Sequence, residues 1–204
     1  MTRPFIISLV FNILFIAFPV HSASLRAGDL ILISLNCYSC PKIESETGSP
    51  YSHSGLLIQE NNKWFVLEAL GKVKKTPLET FKKYVRPGTK PHHYRLKEWS
   101  LEDSDRNQNL IDRFEEAYEG KPFDALYLWN NFDDQGNEFL YCSEMITKLL
   151  NEFLNTKVPT EPMDFTKNWD YWEQVYNGNV PQGEPGNSPS TFADPSLSNF
   201  LGEM

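Results

Sequence analysis

Three cysteines and four histidines hold most of the nucleophilic and basic chemistry open to this 204-residue chain. Cys37 and Cys40 stand together in "CYSC", whereas Cys142 stands alone in "LYCSEMITKLL". Downstream of Cys142, the residues Met145, Ile146, Leu149, Leu150 and Phe153 recur at helical spacing on one face. That pattern predicts an amphipathic helix with Cys142 in its first turn. A thiol there feels unpaired backbone N–H groups and the positive end of the helix dipole, which favour thiolate and lower its pKa below the free value of about 8.5. The plainer alternative is that Cys142 is a small buried apolar residue. A nucleophile also needs a base to take its proton, and the base needs a third group to orient it.

His21 falls in an apolar leader, which leaves His53, His92 and His93 as bases. The stretch "SHSGLLIQENNKWFVLEAL" has two apolar runs joined by Asn61-Asn62, a pair that tolerates the positive φ of a tight hairpin turn. A hairpin over residues 53–70 with that tip sets Gly55 opposite Glu68 and His53 opposite Leu70. Side chains alternate, so His53, Gly55 and Glu68 share one face while Leu56, Ile58, Phe65 and Leu67 share the other. His53 and Glu68 become diagonal neighbours at roughly 7–8 Å between backbones, within reach of a glutamate side chain, and Gly55 leaves room between them. A slip of one residue would turn both into the core, so the register is well specified. His92 and His93 are adjacent on a predicted strand and point to opposite faces, so at most one could enter a site.

Other motifs point elsewhere. "CYSC" has the spacing of a thiol–disulfide redox motif, but that motif belongs at a strand-to-helix turn and "PKIESETGSP" after it reads as loop, so a structural Cys37–Cys40 disulfide or a reduced pair is expected rather than redox catalysis. The C-x-x-C pair lacks the second ligand pair of a zinc site, and Asp133-Asp134 lacks the spaced acids and final glutamate of a calcium loop. Neither a metal nor an organic cofactor is expected.

The elements that must position these groups begin after residue 22. Arg3, the run "FIISLVFNILFIAFPV" and small residues in "VHSAS" have the layout of a secretory signal peptide over residues 1–22, cleaved after Ser22 or Ala23. An uncleaved anchor is the alternative, although the run is near the lower limit of about 17 residues for a membrane span and Pro19 closes it. Export to a secreted or periplasmic location follows, with no stable membrane span after signal removal, and an exported chain keeps its disulfides. Removing the leader takes Arg3 from the 19 basic residues and none of the 27 acids, so the mature charge is about −9 with His neutral. A chain so acidic lacks the basic field that nucleic acid requires.

Residues 23–204 read as one domain. "AGDLILIS" is a strand entered through a Gly-Asp turn, and "TPLETFKKYV" has Thr76 as N-cap, Pro77 at the first helical position and Glu79 three residues after the cap. "HHYRLKEW" is a strand, and from Asp105 the positions Leu110, Ile111, Phe114, Ala117 and Tyr118 give a helix closed by Gly120 and Pro122. "DDQGN" is a turn, "NWDYWEQVYNG" has helical spacing, and a Pro/Gly-rich loop near 179–190 is ordered only if the last residues dock on the domain.

In this order, "GDLILI", "YSHSGLLI", "FVLEAL", "GKPFD" and "YCSEMI" resemble the permuted branch of the NlpC-type papain-like superfamily, the YaeF/YiiX-like amidases, over roughly residues 26–155. The resemblance implies an α+β, circularly permuted papain-like fold, with an antiparallel sheet packed on the helix that carries the nucleophile. It implies Cys142 as nucleophile, His53 as base and Glu68 as the orienting group, in a cysteine amidase, peptidase or acyl hydrolase working through a thioester. Cys37, Cys40 and the Ser54 that follows His53 depart from the usual pattern. The Cys142 N–H is the expected oxyanion donor; Tyr141, Gln135 and Asp124 are further cleft or oxyanion candidates, with Asp124 next in line as third member. Envelope peptides, amides or lipids are the expected substrates, without a choice among them. The rival expectation is a non-catalytic lipid- or peptide-binding module on the same fold.

Overall fold

The computed structural model describes residues 23–99 and 102–204; the predicted signal peptide lies outside the described residues. Strand β1 (Leu30–Ile33) is apolar at every position and buried throughout, so it must lie inside a sheet with both faces covered. It leads through "CYSC" into helix α1 (Cys40–Thr47), then to β2 (His53–Glu60) and β3 (Lys63–Leu70). β4 (Lys72–Pro77) and the single-turn helix α2 (Leu78–Phe81) follow, then β5 (His92–Leu96) and α3 (Asp103–Ala117). A two-stranded ribbon of β6 (Asn131–Phe132) and β7 (Glu138–Phe139) precedes α4 (Cys142–Asn151). The chain ends with β8 (Glu161–Pro162), α5 (Trp169–Val175), β9 (Pro185–Gly186) and β10 (Ser198–Glu203). Among the described residues no helix is long and apolar enough to cross a membrane.

Six strands form one antiparallel sheet in the order β10-β5-β1-β2-β3-β4. The hairpin has the predicted register, running from Leu56 opposite Leu67 to Glu60 opposite Lys63, with Asn61 and Asn62 at φ 49° and 60° in the turn. On one face Leu56, Ile58 and Leu67 meet Met145, Ile146, Leu149 and Leu150 of α4 and Leu110 and Phe114 of α3. The other face is not open: Ile31, Ile33, Leu57, Val66, Leu78 and Phe81 make a second core there. His53 and Glu68 are therefore buried on their own side, at 2% and 0% exposure.

Two expectations about helices fail. The segment after "CYSC" is helical, with Pro41 in its first turn and Gly48 at φ 60° returning its N–H to the carbonyls of Glu44 and Ser45. Of its residues only Cys40 is buried, so apolar periodicity left no trace of it. What holds it is polar: Glu44 accepts from the Ser34 and Ser52 hydroxyls at 2.8 Å and pairs with Arg86, tying α1 to the sheet. The C-x-x-C thus does lie between a strand and a helix, and its sulfurs are joined in the expected Cys37–Cys40 disulfide while Cys142 is free. The second failure is the helix start at Thr76. Thr76 and Pro77 belong to β4, no capping bond forms, and the helix is one turn long.

The Pro/Gly-rich segment is ordered because its neighbours dock. β9 pairs with β8, Ser188 and Thr191 form a capping box, and β10 adds to the sheet beside β5.

The room expected beside Gly55 is filled by core. A Cβ there would stand 2.0 Å from Val66 Cγ1 and 3.1 Å from the Phe81 ring. Gly55→Ala should therefore destabilise the fold by about 1–3 kcal/mol through overpacking, seen as a lower urea midpoint with an unchanged m-value.

Candidate active site

The site is assembled where the open end of the hairpin meets the start of α4. α4 packs across β2 and β3 through its apolar stripe, and this sets its N-terminus beside the first residues of β2. Cys142 is the first residue of the helix, 6% exposed, at the foot of a cleft of about 640 Å³. His53 acts on its thiol through the attraction between imidazolium and thiolate. On the other side of the ring, His53 Nε2 lies 2.7 Å from Glu68 Oε2, so Nδ1 is the nitrogen left to face the sulfur. The Phe81 ring packs against the imidazole with centroids 5.5 Å apart and limits its swing.

Glu68 is held in turn. The Thr76 hydroxyl donates to Oε1 at 2.5 Å, and Lys74 Nζ stands 3.9 Å from the same oxygen. The residue expected to cap a helix is thus the support for the carboxylate. The strand register carries the signal: Glu68 pairs with Lys74 on β4, and Thr76 is its diagonal neighbour. The Thr-Pro dipeptide obscured it because the same residues also fit a helix start.

Burial shapes the protonation of the pair. Taken alone it would push His53 down, but the facing sulfur and Glu68 outweigh it and raise the imidazole to about 9. For Cys142 burial would raise the pKa, yet His53 holds the thiol below its usual value. Both shifts favour thiolate beside imidazolium, a form fitted to attack a carbonyl carbon.

The remaining histidines are occupied elsewhere. His93 Nε2 bonds Asp29 Oδ2 at 2.6 Å, within a cluster that includes Arg95, and His92 Nδ1 bonds the Tyr51 hydroxyl at 2.6 Å. Tyr141 caps α4 and lines the cleft, its phenol accepting from Asn187 N–H at 3.2 Å. Gln135 lies in the exposed β6–β7 turn, away from the cleft lining. Asp124 is buried but spends its oxygens on the N–H groups of Leu126 and Leu128 and on the Asn131 amide, so it shapes the loop before α4. α5, the β8–β9 ribbon and the 3₁₀ turn before β10 build the rest of the cleft, with Trp172, Met163, Phe165 and Leu197 among its walls.

An antiparallel sheet that presents His before Cys in the chain, with the cysteine opening a helix packed on that sheet, is a papain-like site in permuted order. Residues 24–196 match the family model described as permuted papain-like amidase enzyme, YaeF/YiiX, C92 family, and the chain belongs to that family. It is 29% identical over 190 residues to the uncharacterized protein YiiX of Escherichia coli strain K12, covering 89% of this chain and 88% of that one. A solved structure, described as the crystal structure of metalloprotein yiiX from Escherichia coli O157:H7, superposes with a TM-score of 0.75 at 26% identity, covering 88% of this chain and 97% of that chain.

Thr76→Val keeps the shape of the side chain and removes the hydroxyl that donates to Glu68 Oε1. The expected result is a loss of about 1–3 kcal/mol of stability from a buried carboxylate oxygen short of its donor, measured by urea unfolding.

Proposed function

We propose that this protein is an exported cysteine hydrolase of the amidase or peptidase type, acting in the cell envelope through Cys142, His53 and Glu68. The observation that carries the proposal is the hydrogen-bonded line Thr76, Glu68, His53, whose imidazole lowers the pKa of the Cys142 thiol lining the cleft. A binding module has no use for an oriented imidazole beside a lowered thiol, whereas acyl transfer needs both.

In the first half-reaction the Cys142 thiolate attacks the carbonyl carbon of an amide or ester. The C–S bond forms as the carbonyl pair moves onto oxygen, where N–H groups of the first turn of α4, which have no partner within the helix, would receive it. His53 passes its proton to the leaving amine or alcohol, and collapse of the intermediate gives the thioester. In the second half water loses a proton to His53 as it attacks the thioester; the C–S bond breaks, its electron pair stays on sulfur, and the acid leaves. Glu68 stabilises the imidazolium in both halves and fixes its orientation, as the buried aspartate does in serine hydrolases.

The comparison structure carries the word metalloprotein. In this chain no three His, Cys, Asp or Glu side chains among the described residues are grouped as ligands of one ion would be, and no step above passes through a metal. The leader, removed on export, would place the enzyme in the periplasm or outside the cell, where envelope peptides, amides and lipids are the available substrates.

Incubation of the mature protein with envelope extract, followed by intact-mass analysis, tests the proposal. An acyl adduct on Cys142, missing from Cys142→Ala, is expected. A lipid or peptide recovered without covalent attachment and without turnover would instead make the protein a binding module. The ionisation is checked apart from any substrate. His53 should titrate near pH 9 by NMR; above that pH the imidazolium, and with it the leaving-group acid, is lost. Glu68→Gln removes one of the two anions that raise His53, the Cys142 sulfur being the other, so its titration should move to lower pH, and turnover should fall on the order of 100-fold or more with the fold retained.

A further inference from the structure

Tyr127 sits in the loop before α4 with φ at 53°. In that left-handed conformation the Cβ of an L-residue crowds the following carbonyl oxygen, and a bulky side chain is rare there. The other non-glycine residues at positive φ among those described, Asn61, Asn62, Asn130 and Asn177, are all asparagine, which tolerates it best after glycine. A loop that needed only the bend would follow the same rule at position 127. The fold instead holds the tyrosine in place. Buried Asp124 accepts from the N–H groups of Leu126 and Leu128 at 2.8 and 2.7 Å, and the Tyr176 hydroxyl donates to the Leu126 carbonyl at 2.6 Å. Backbone strain maintained in this way gathers at functional sites.

What the strained backbone delivers is a ring in the cleft that Cys142 also lines. The Tyr127 ring makes edge contacts with Tyr141 at 6.1 Å between centroids and with Trp172 at 6.3 Å, and Phe165 continues the row 5.2 Å from Trp172. Ile43 and Met163 pack on the same cluster and face the same space. Glu46, beside Trp172, spends its carboxylate on the N–H groups of Lys167 and Asn168 and on the Trp172 indole, at 2.7–3.0 Å. Rings and aliphatic carbon are thus what this part of the cleft offers a substrate.

We propose that Tyr127 is a specificity-determining residue of this site, its ring being the wall on which an apolar group next to the scissile carbonyl lies as that carbonyl reaches Cys142. The proposal rests on the assignment of Cys142 as nucleophile. Moving an apolar group from water onto these rings favours binding in proportion to the area covered, and a wall already fixed adds no ordering cost when the substrate arrives. An acyl chain and an apolar amino-acid side chain present the same chemistry to it.

Alkylation of Cys142, the one free thiol, by iodoacetamide and by its N-hexyl and N-benzyl derivatives tests the proposal and separates those two sources. The sulfur displaces iodide from all three. With rates normalised to free cysteine, the ratio of an apolar probe to iodoacetamide reports the wall and cancels any change in the thiolate. Wild type should favour one apolar probe by about tenfold, the hexyl group for an acyl-chain substrate or the benzyl group for a peptide side chain. Tyr127→Ala and Tyr127→Gly should bring the ratio to within about threefold of unity, and Tyr127→Phe should restore it. The urea midpoint of Tyr127→Gly should lie above that of Tyr127→Ala, because both lack the ring and only glycine takes positive φ without strain; the reverse order overturns the strain from which the role is inferred. A purely structural tyrosine would shift the midpoints and leave the ratio as in wild type. Fast iodoacetamide labelling of wild type at pH 6 with no apolar preference, or a preference that survives loss of the ring, overturns the role of Tyr127 alone. Slow labelling of wild type by all three probes below pH 8 overturns the activated thiol and the hydrolase proposal with it.

Discussion

A carboxylate with no access to water, Glu68, sets the terms for the rest of this molecule. Removing a charged group from solvent is strongly unfavourable unless it is fully partnered, and Glu68 meets that condition with His53 on one oxygen and Thr76 on the other. The arrangement works only if three neighbouring strands hold a single register, because a shift of one residue in any of them would turn a partner to the opposite face. The chemistry of the site and the stability of the sheet thus depend on the same few hydrogen bonds. A half-satisfied network would be worse than an apolar core at this place.

Covering both faces of the sheet follows from the same constraint. Were the His53 and Glu68 face open to water, solvent would screen the pair and weaken the hold of Glu68 on the imidazole. Phe81, Val66 and Leu57 exclude it, and the single-turn α2 exists to deliver Leu78 and Phe81 to that face. On the opposite face the apolar stripe of α4 does more than fill space, because docking the stripe fixes where the helix begins and so where Cys142 stands. The Cys37–Cys40 disulfide and the Glu44 contacts brace α1, whose residues Ile43, Glu46 and Thr47 form part of the cleft wall.

The relay also has a direction. His53 is charged between two partners that both prefer it so, the thiolate in front and the carboxylate behind. A thiol and an imidazole held as a buried ion pair have already met the cost of desolvation when the fold forms, which is the preorganisation that the proposed reaction would use.

Much of this was legible in the residues themselves. Period-2 alternation with an Asn-Asn tip specified the hairpin register, and with it the face shared by His53 and Glu68; period-3.6 spacing placed Cys142 at a helix start. These are local properties, encoded within twenty residues or fewer, and the physics that reads them is the geometry of a single strand pair or a single helix. α1 and the strand character of Thr76 were not legible, because the first is held by contacts to Ser34, Ser52 and Arg86 rather than by an apolar stripe, and the second answers to a buried carboxylate on another strand. The same holds for the idle histidines, for Gln135 in its exposed turn and for Asp124 bonded into its own loop. A side chain's partner across the fold depends on which surfaces meet, and local periodicity carries no term for that. The sequence by itself determined which residues could do the chemistry and how the hairpin presents two of them; the tertiary structure decided that α4 brings the thiol to the imidazole, that Thr76 holds the far end of the line, and that water is kept from both faces, because each of these depends on the packing of elements far apart in the chain.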